Sequence, residues 1–433
     1  MKGEKIVSEE DLLLTFAEEY EALVENIRFS EGFCLLFVEC SPVQGTKIME
    51  KVRLDIPEEK AEVLPLDKTI YNFYNRVKEF SNLKKIDILF VTGLEYSLYQ
   101  YEDEMKERGW DDNEIISISN RGVPPVLVNL NQQRERFRDD FDICFVFLLP
   151  KFAVDYLIKR APDFFDWRSG LFRFPMDKEN LEHETLQAYF KRLKKEDYEN
   201  LTPQEYKKEL IEIQSLIDED HQTLERKVDL LIEEGRLNSN IGKYLEAISA
   251  YDKALEFKPE NDQAWYNKGI ALKNLGRHEQ AISAYDKALE IKPDDDQAWF
   301  HKGVAFLQLK FYQQAIVAYK KSLDIKPDNE GSISNLGLIK YEIGKIDEAI
   351  EHWQAALKIN NQFVEPKLAI GVALYNKGEI SEGLTIAKAA LKLDKSWGNL
   401  QRLKKELWGK KLLSDTAKLL ENPQIKALLL LHI

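Results

Sequence analysis

Residues 262–295 read DQAWYNKGIALKNLGRHEQAISAYDKALEIKPDD, and the next 34 residues, 296–329, nearly repeat them as DQAWFHKGVAFLQLKFYQQAIVAYKKSLDIKPDN. One period earlier and two periods later, the same positions keep small residues and aromatic rings, which gives five copies over residues 228–397. An internal period of this length predicts an array of helical hairpins that stack on one another.

The composition of one repeat explains how such a hairpin would pack. Small residues stand at positions 8, 20 and 27 (Gly269, Ala281 and Ala288), where they let two helices approach closely. The large ring of Tyr285 at position 24 would fill the space between the helices, and Pro293 at position 32 would end the second helix. The pattern therefore favours two antiparallel helices in each copy.

This pattern resembles the tetratricopeptide repeat over about 170 residues. The resemblance implies an all-α solenoid whose first helices line a concave groove that binds a partner protein. Carried over by register, the groove positions are Gln263, Tyr266, Asn267, Ile270, Asn274, Phe300, Val304, Leu307, Leu338 and Tyr341. Their apolar character suits an apolar or amphipathic peptide or helix, and the C-terminal segment of the chain itself is the alternative occupant. Tyr266 and Ile270 stand where the chaperone-binding subtype needs a lysine and an asparagine, which disfavours that subtype.

The N-terminal part of the chain alternates apolar runs with amphipathic segments. The runs Gly32–Cys40, Ile86–Glu95 and Ile143–Pro150 are almost continuously apolar, which predicts strands buried on both faces of a parallel sheet. Shorter runs at 63–66 and 171–174 predict two more strands. Strands that alternate with helices in this way indicate a three-layer α/β domain.

The sequence therefore predicts a multidomain chain. Residues 1–178 form the α/β domain, 179–227 a charged helical connector, 228–397 the five repeats, and 398–433 C-terminal capping helices.

The order of strands and helices in residues 1–178 resembles a P-loop ATPase core. With helical repeats behind it, the chain resembles the signal-transducing (STAND) ATPases that carry repeat arrays. That family follows its first strand with the phosphate loop GxxxxGK[ST], whereas this chain reads ECSPVQGTK there. The resemblance implies phosphate binding by Gly45, Thr46 and Lys47. However, the other glycine is missing, the lysine comes one position late, and Pro42 has no N–H to donate. We therefore expect a degenerate domain without nucleotide.

The family's second motif is an acid after a buried strand, which positions magnesium and a water molecule. Glu95 lies several residues beyond the end of the predicted strand. It could act as a base, but a surface glutamate at the start of a helix is the favoured interpretation. No grouping of histidine and cysteine at metal-ligand spacing and no GxSxG stretch occurs, so we expect no metal, no cofactor and no catalytic residue.

Composition limits the compartment in which the chain works and the partners that it can bind. A net charge of −14 over 433 residues argues against binding to nucleic acid or to an anionic membrane surface. The three cysteines form no CxxC pair, which indicates a reducing compartment, and no apolar run reaches the roughly 20 residues that span a bilayer. The first residues carry acids where a signal peptide needs an uninterrupted apolar stretch, so we expect none. We expect a soluble cytoplasmic protein.

These observations favour a non-enzymatic scaffold that recruits a protein through its repeats, in a bacterial signalling or defence assembly. The alternatives are an ATP-dependent molecular switch with an atypical phosphate loop and a homo-oligomeric scaffold.

Overall fold

The continuous apolar runs of the N-terminal part form strands in the computed structural model, which describes residues 9–66, 68–80, 85–108, 123–174, 181, 201–219 and 222–430. Five strands form one sheet: β1 (Cys34–Glu39), β2 (Ala61–Pro65), β3 (Ile88–Thr92), β4 (Cys144–Leu149) and β5 (Gly170–Arg173). Every pair of neighbours is parallel, and the order across the sheet is β2-β3-β4-β1-β5. The prediction of a parallel sheet is therefore confirmed.

Helices cover both faces of this sheet. They are α1 (Glu9–Arg28), α2 (Pro42–Asp55), α3 (Phe73–Lys78), α4 (Glu95–Glu107), α5 (Pro125–Asp140), α6 (Lys151–Arg160) and α7 (Pro162–Phe165). Two further helices, α8 (Pro203–Ile217) and α9 (Leu224–Asn240), pack against each other. On one face α1 and α2 pack against Leu36 of β1 and Val146 of β4. On the other, α3, α5 and α6 pack against Phe37 and Phe147. Successive residues of a strand point to opposite faces, so β1 and β4 contribute to both cores.

The chain divides into two compact units, Met1–Ile241 and Gly242–Ile433. The sheet and α1 to α9 belong to the first unit, and the boundary falls between the two helices of the first predicted repeat. Of the predicted connector, residues 179–180, 182–200 and 220–221 lie outside the described part of the chain.

Helical hairpins build the second unit. Its helices are α10 (Tyr244–Phe257), α11 (Asp262–Asn274), α12 (His278–Ile291), α13 (Asp296–Gln308), α14 (Tyr312–Ile325), α15 (Glu330–Glu342), α16 (Ile346–Ile359), α17 (Val364–Lys377), α18 (Ile380–Leu393), α19 (Leu400–Lys405), α20 (Lys410–Leu420) and α21 (Pro423–Leu430). A short 3₁₀ turn, Lys395–Gly398, separates α18 from α19. From α11 to α18 the two helices of a repeat pack against each other, and so do helices of successive repeats, as a solenoid requires.

A glycine on the first helix of a repeat makes room for the aromatic ring of the second. A Cβ atom on Gly269 would lie 2.5 Å from Cε1 of Tyr285, and one on Gly303 would lie 2.6 Å from Cε1 of Tyr319. Both distances are far below the optimal separation of about 3.5–4.0 Å between carbon atoms, so a larger residue would force the helices apart. The roles predicted for positions 8 and 24 are confirmed.

Candidate functional sites

The first helices of the repeats form the inner face of the array, because α11 contacts α13 and α13 contacts α15. Tyr266, Ile270, Phe300 and Val304 project from α11 and α13 and remain partly exposed. We call these four residues the open strip. Of the other predicted groove positions, Asn267 is partly exposed, Gln263 and Asn274 are exposed, and Leu307 is buried.

Two basic side chains lie close to the open strip. The ring of His301 is 5.1 Å from that of Phe300 and 5.9 Å from that of Tyr266. Burial, with a smaller contribution from the nearby Lys273 ammonium, lowers the pKa of His301 to about 3, so this imidazole is neutral. Burial also lowers the pKa of Lys273, and no carboxylate in the described part of the chain forms an ion pair with it. The inner face therefore combines apolar surface with one partly desolvated ammonium group.

The inner face of the fourth and fifth repeats is covered by the chain's own C-terminal helices. Helix α20 packs against α15 and α17, and Leu338 and Tyr341, predicted to line an open groove, are each only 1% exposed. The hydroxyl of Tyr341 donates a hydrogen bond of 2.8 Å to Asp415 of α20. The prediction that Leu338 and Tyr341 face a partner was wrong, because the alternative occupant fills this part of the groove.

Polar contacts fix the start of α20. The carboxylate of Glu342 accepts hydrogen bonds from the backbone N–H groups of Lys411 (3.2 Å) and Leu412 (2.9 Å), which otherwise lack partners in the first turn of a helix. The indole of Trp408 donates a 3.1 Å hydrogen bond to buried Glu365 on α17. Burial raises the pKa of Glu365 to about 7. The sequence does not reveal Trp408, Glu365 and Asp415 as docking residues, because no local pattern signals a contact with a distant part of the chain.

A cleft opens at the carboxyl ends of β1 to β4 in the first unit, and we call it the carboxyl-end cleft. Its volume is about 430 Å³. Ligands of open α/β sheets bind at this edge. The side chains of Met49, Leu66 and Leu148 give it apolar walls, and Glu205 and Lys208 of α8 also line it. Gly45, Thr46 and Glu95 belong to its lining, whereas exposed Lys47 does not.

The connection from β1 to α2 consists of two residues and forms no phosphate loop. Helix α2 begins at Pro42, where Ser41 and Gln44 form a capping box. This cap uses the backbone N–H of Gln44, and the hydroxyl of Thr46 donates to the carbonyl of Pro42 at 3.2 Å. Gly45 serves packing, since a Cβ atom there would lie 3.3 Å from Sγ of Cys40.

Glu95 is buried, so its interpretation as a surface glutamate was wrong. It begins α4 directly after the turn at Gly93, and its side chain is only 5% exposed. Its Oε2 atom has no hydrogen-bond partner among the described residues. Burial raises the pKa of the carboxyl group to about 7, against the smaller opposing effect of backbone hydrogen bonds from Glu95 and Gly93. A half-satisfied buried carboxyl therefore lines the cleft.

The described residues form neither a metal-binding cluster nor a membrane-spanning helix. No group of three or more histidine, cysteine, aspartate and glutamate side chains there could hold a metal ion. None of the helices there combines the length and apolarity needed to cross a membrane.

Comparisons with known proteins agree with the repeat architecture. Family models described as tetratricopeptide repeat match residues 263–295 and 296–329, and one described as TPR repeat matches residues 240–276 and 337–378. A search of curated protein sequences found no match.

Solved structures that match part of this chain include a crystal structure of MamA, at 25% identity over 37% of this chain and 95% of that one, with a TM-score of 0.35. YrrB, described as a TPR protein with an unusual peptide-binding site, is 16% identical over 46% of this chain and 98% of that one, with a TM-score of 0.35. The first TPR domain of Spaghetti (RPAP3), bound to the HSP90 peptide SRMEEVD, is 26% identical over 27% of this chain and 94% of that one, with a TM-score of 0.27. On the evidence of the family models, this chain contains tetratricopeptide repeats between residues 240 and 378.

Proposed function

We propose that this protein is an interaction scaffold whose open strip binds an amphipathic helix of a partner protein. One observation carries the proposal: the inner face is covered by an amphipathic helix at the fourth and fifth repeats but remains partly exposed at the second and third. Helix α20 buries Leu412 and Leu419 while its Lys410 and Lys411 stay exposed. The chain's own contact thus supports helix-in-groove recognition as the binding mode.

Lys273 adds a charge preference to this proposal. A partly desolvated ammonium without a carboxylate partner gains free energy when an acidic side chain approaches it. The preferred partner helix therefore presents apolar residues to Ile270 and Phe300 and an aspartate or glutamate to Lys273. The aromatic and apolar residues at positions 5 and 9 support a helix rather than a C-terminal carboxylate as the ligand.

Selection from a phage-displayed library of helix-forming peptides tests the proposal on the full chain. Fluorescence anisotropy should show that Ile270→Ala and Phe300→Ala each lower the affinity for the selected peptides by about tenfold or more. Truncation of a central apolar contact has an effect of this size. Lys273→Met should weaken the binding of only those peptides that carry an aspartate or glutamate. Val317→Ala, at a residue 57% exposed on α14, is the matched control and should bind normally. Peptides that bind all four variants equally would refute the proposed site.

We also infer that the α/β domain is an inactive relative of the signal-transducing ATPases. Three features support this inference. The connection after β1 has only two residues, the side chain of Ser41 already accepts from the backbone N–H of Gln44, and the hydroxyl of Thr46 donates to the carbonyl of Pro42. The order of strands and helices still resembles that family, and on this resemblance we place the protein in a bacterial signalling or defence assembly. Its three buried, unpaired thiols, Cys34, Cys40 and Cys144, support a cytoplasmic location.

Thermal unfolding with and without MgATP separates the inactive domain from the alternative of an ATP-dependent switch. Nucleotide at 100 times its dissociation constant would stabilise the folded state by about 2.7 kcal/mol and raise the melting temperature visibly. We expect no shift. A shift abolished by Lys47→Ala would overturn the inactive domain and establish the switch.

A further inference from the structure

The carboxyl-end cleft has the size and place of a small-molecule site. Its volume of about 430 Å³ falls within the roughly 300–1,000 Å³ typical of such sites. Four strand ends and the helices α2, α4 and α8 line it, so its shape comes from regular structure rather than from a single loop. The proposed scaffold function makes no use of this cleft.

Glu95 supplies the cleft with one unsatisfied polar anchor. Nearly all buried polar atoms in proteins have a hydrogen-bond partner, and an exception calls for a physical explanation. Backbone hydrogen bonds from Gly93 and Glu95 reach this carboxyl at the start of α4 and partly oppose the effect of burial on its pKa. Its Oε2 remains without a partner among the described residues. A ligand that donates an N–H group to Oε2 would satisfy it.

The remaining lining decides the charge of that ligand. At the rim, hydrogen bonds from Thr202 lower the pKa of Glu205 and keep it ionised, and Lys208 offsets its charge. Among the described residues of the lining, those inside the cleft that can ionise are Glu95, Cys40 and Tyr96. An anionic group such as phosphate would meet a carboxyl there, and the capped start of α2 has little to offer it. A cationic group would instead form a charge-assisted hydrogen bond with Glu95.

We propose that the carboxyl-end cleft binds a small organic cation, an amine or amidine with an apolar body, whose N–H groups donate to Oε2 of Glu95. The apolar body would lie against Met49, Leu66 and Leu148. Such a ligand stabilises the ionised carboxylate, so binding releases the proton that the buried carboxyl holds below neutral pH. Affinity for the cation should therefore rise with pH and level off above neutrality.

Isothermal titration calorimetry of the full chain with benzamidine tests this assignment, with benzamide as an uncharged probe of the same shape. We expect benzamidine to bind about tenfold or more tightly than benzamide at pH 8. Glu95→Gln should remove that preference, while Glu58→Gln, which removes an exposed carboxylate outside the cleft, should not. Titration in buffers of different ionisation enthalpy at pH 6 should show release of a proton by the natural chain and none by Glu95→Gln.

Several outcomes would overturn the assignment. If neither benzamidine nor butylamine, a simple alkyl amine, bound at millimolar concentration, the cleft would hold no cation. If the natural chain and a Glu95→Gln variant with an unchanged circular dichroism spectrum bound benzamidine equally, the cation would bind elsewhere. Competition between benzamidine and MgATP for the protein would show that the cleft binds a nucleotide. None of these results bears on peptide binding by the open strip, so the two proposals fail separately.

Discussion

Position 15 of each repeat turns the chain between its two helices, and the backbone there is left-handed. Gly276 and Gly344 adopt φ angles of +80° and +87°, and Lys310 makes the same turn at +62°. Glycine adopts this conformation freely, whereas for other L-residues it costs roughly 1–2 kcal/mol of conformational free energy. The third repeat therefore carries a strain that its neighbours avoid.

Lys310→Gly should relieve this strain. We expect the free energy of unfolding to rise by up to about 1 kcal/mol, because the relief exceeds the entropy that a glycine adds to the unfolded chain. Urea denaturation followed by circular dichroism measures the difference. Gly276→Ala is the matched control, since a Cβ atom there meets nothing within 4 Å and only the backbone effect remains. It should lower stability, and a change of the same sign in both variants would contradict the explanation.

Among the elements, those that depend on local pattern could be predicted from sequence. The 34-residue period predicts the hairpins because residues 8 and 24 of one repeat touch each other, as Gly269 and Tyr285 do. The docking of α20 could be foreseen only as an alternative, because the bond between Glu342 and the backbone of Leu412 joins residues 70 apart. The burial of Glu95 was missed for the same reason, since it arises from strands and helices that a local pattern does not bring together.

Leu419→Ala should loosen the whole contact of α20 with the inner face. Leu419 is fully buried, and a large-to-small change at such a site costs about 2–5 kcal/mol. We expect faster hydrogen exchange in α15 and α17, where Leu338 and Tyr341 lose their cover. Leu430→Ala, at a residue 75% exposed on α21, should change neither stability nor exchange. Unchanged exchange in α15 after Leu419→Ala would show that α20 does not protect it.

For the molecule as a whole, two buried carboxyl groups link stability to pH, one in each compact unit. Burial raises the pKa of Glu95 in the first unit and of Glu365 in the second to about 7, from an ordinary 4.5. Between these two pH values the folded chain holds more protons than the unfolded chain, so stability falls as pH rises. The stability that each carboxyl contributes is complete below about pH 4.5 and is lost through pH 7.

Glu95→Gln and Glu365→Gln should therefore raise stability at pH 8 and leave it nearly unchanged at pH 4.5. A shift from 4.5 to 7 corresponds to a gain on the order of 3 kcal/mol for each variant, because one pKa unit is worth about 1.4 kcal/mol. Differential scanning calorimetry should show that each variant moves the melting of its own unit. The double variant should combine both gains, since sites in separate units share no partners. Glu50→Gln, at an exposed position on α2, should reproduce neither gain. If either single variant moved both transitions equally, the two units would unfold as one.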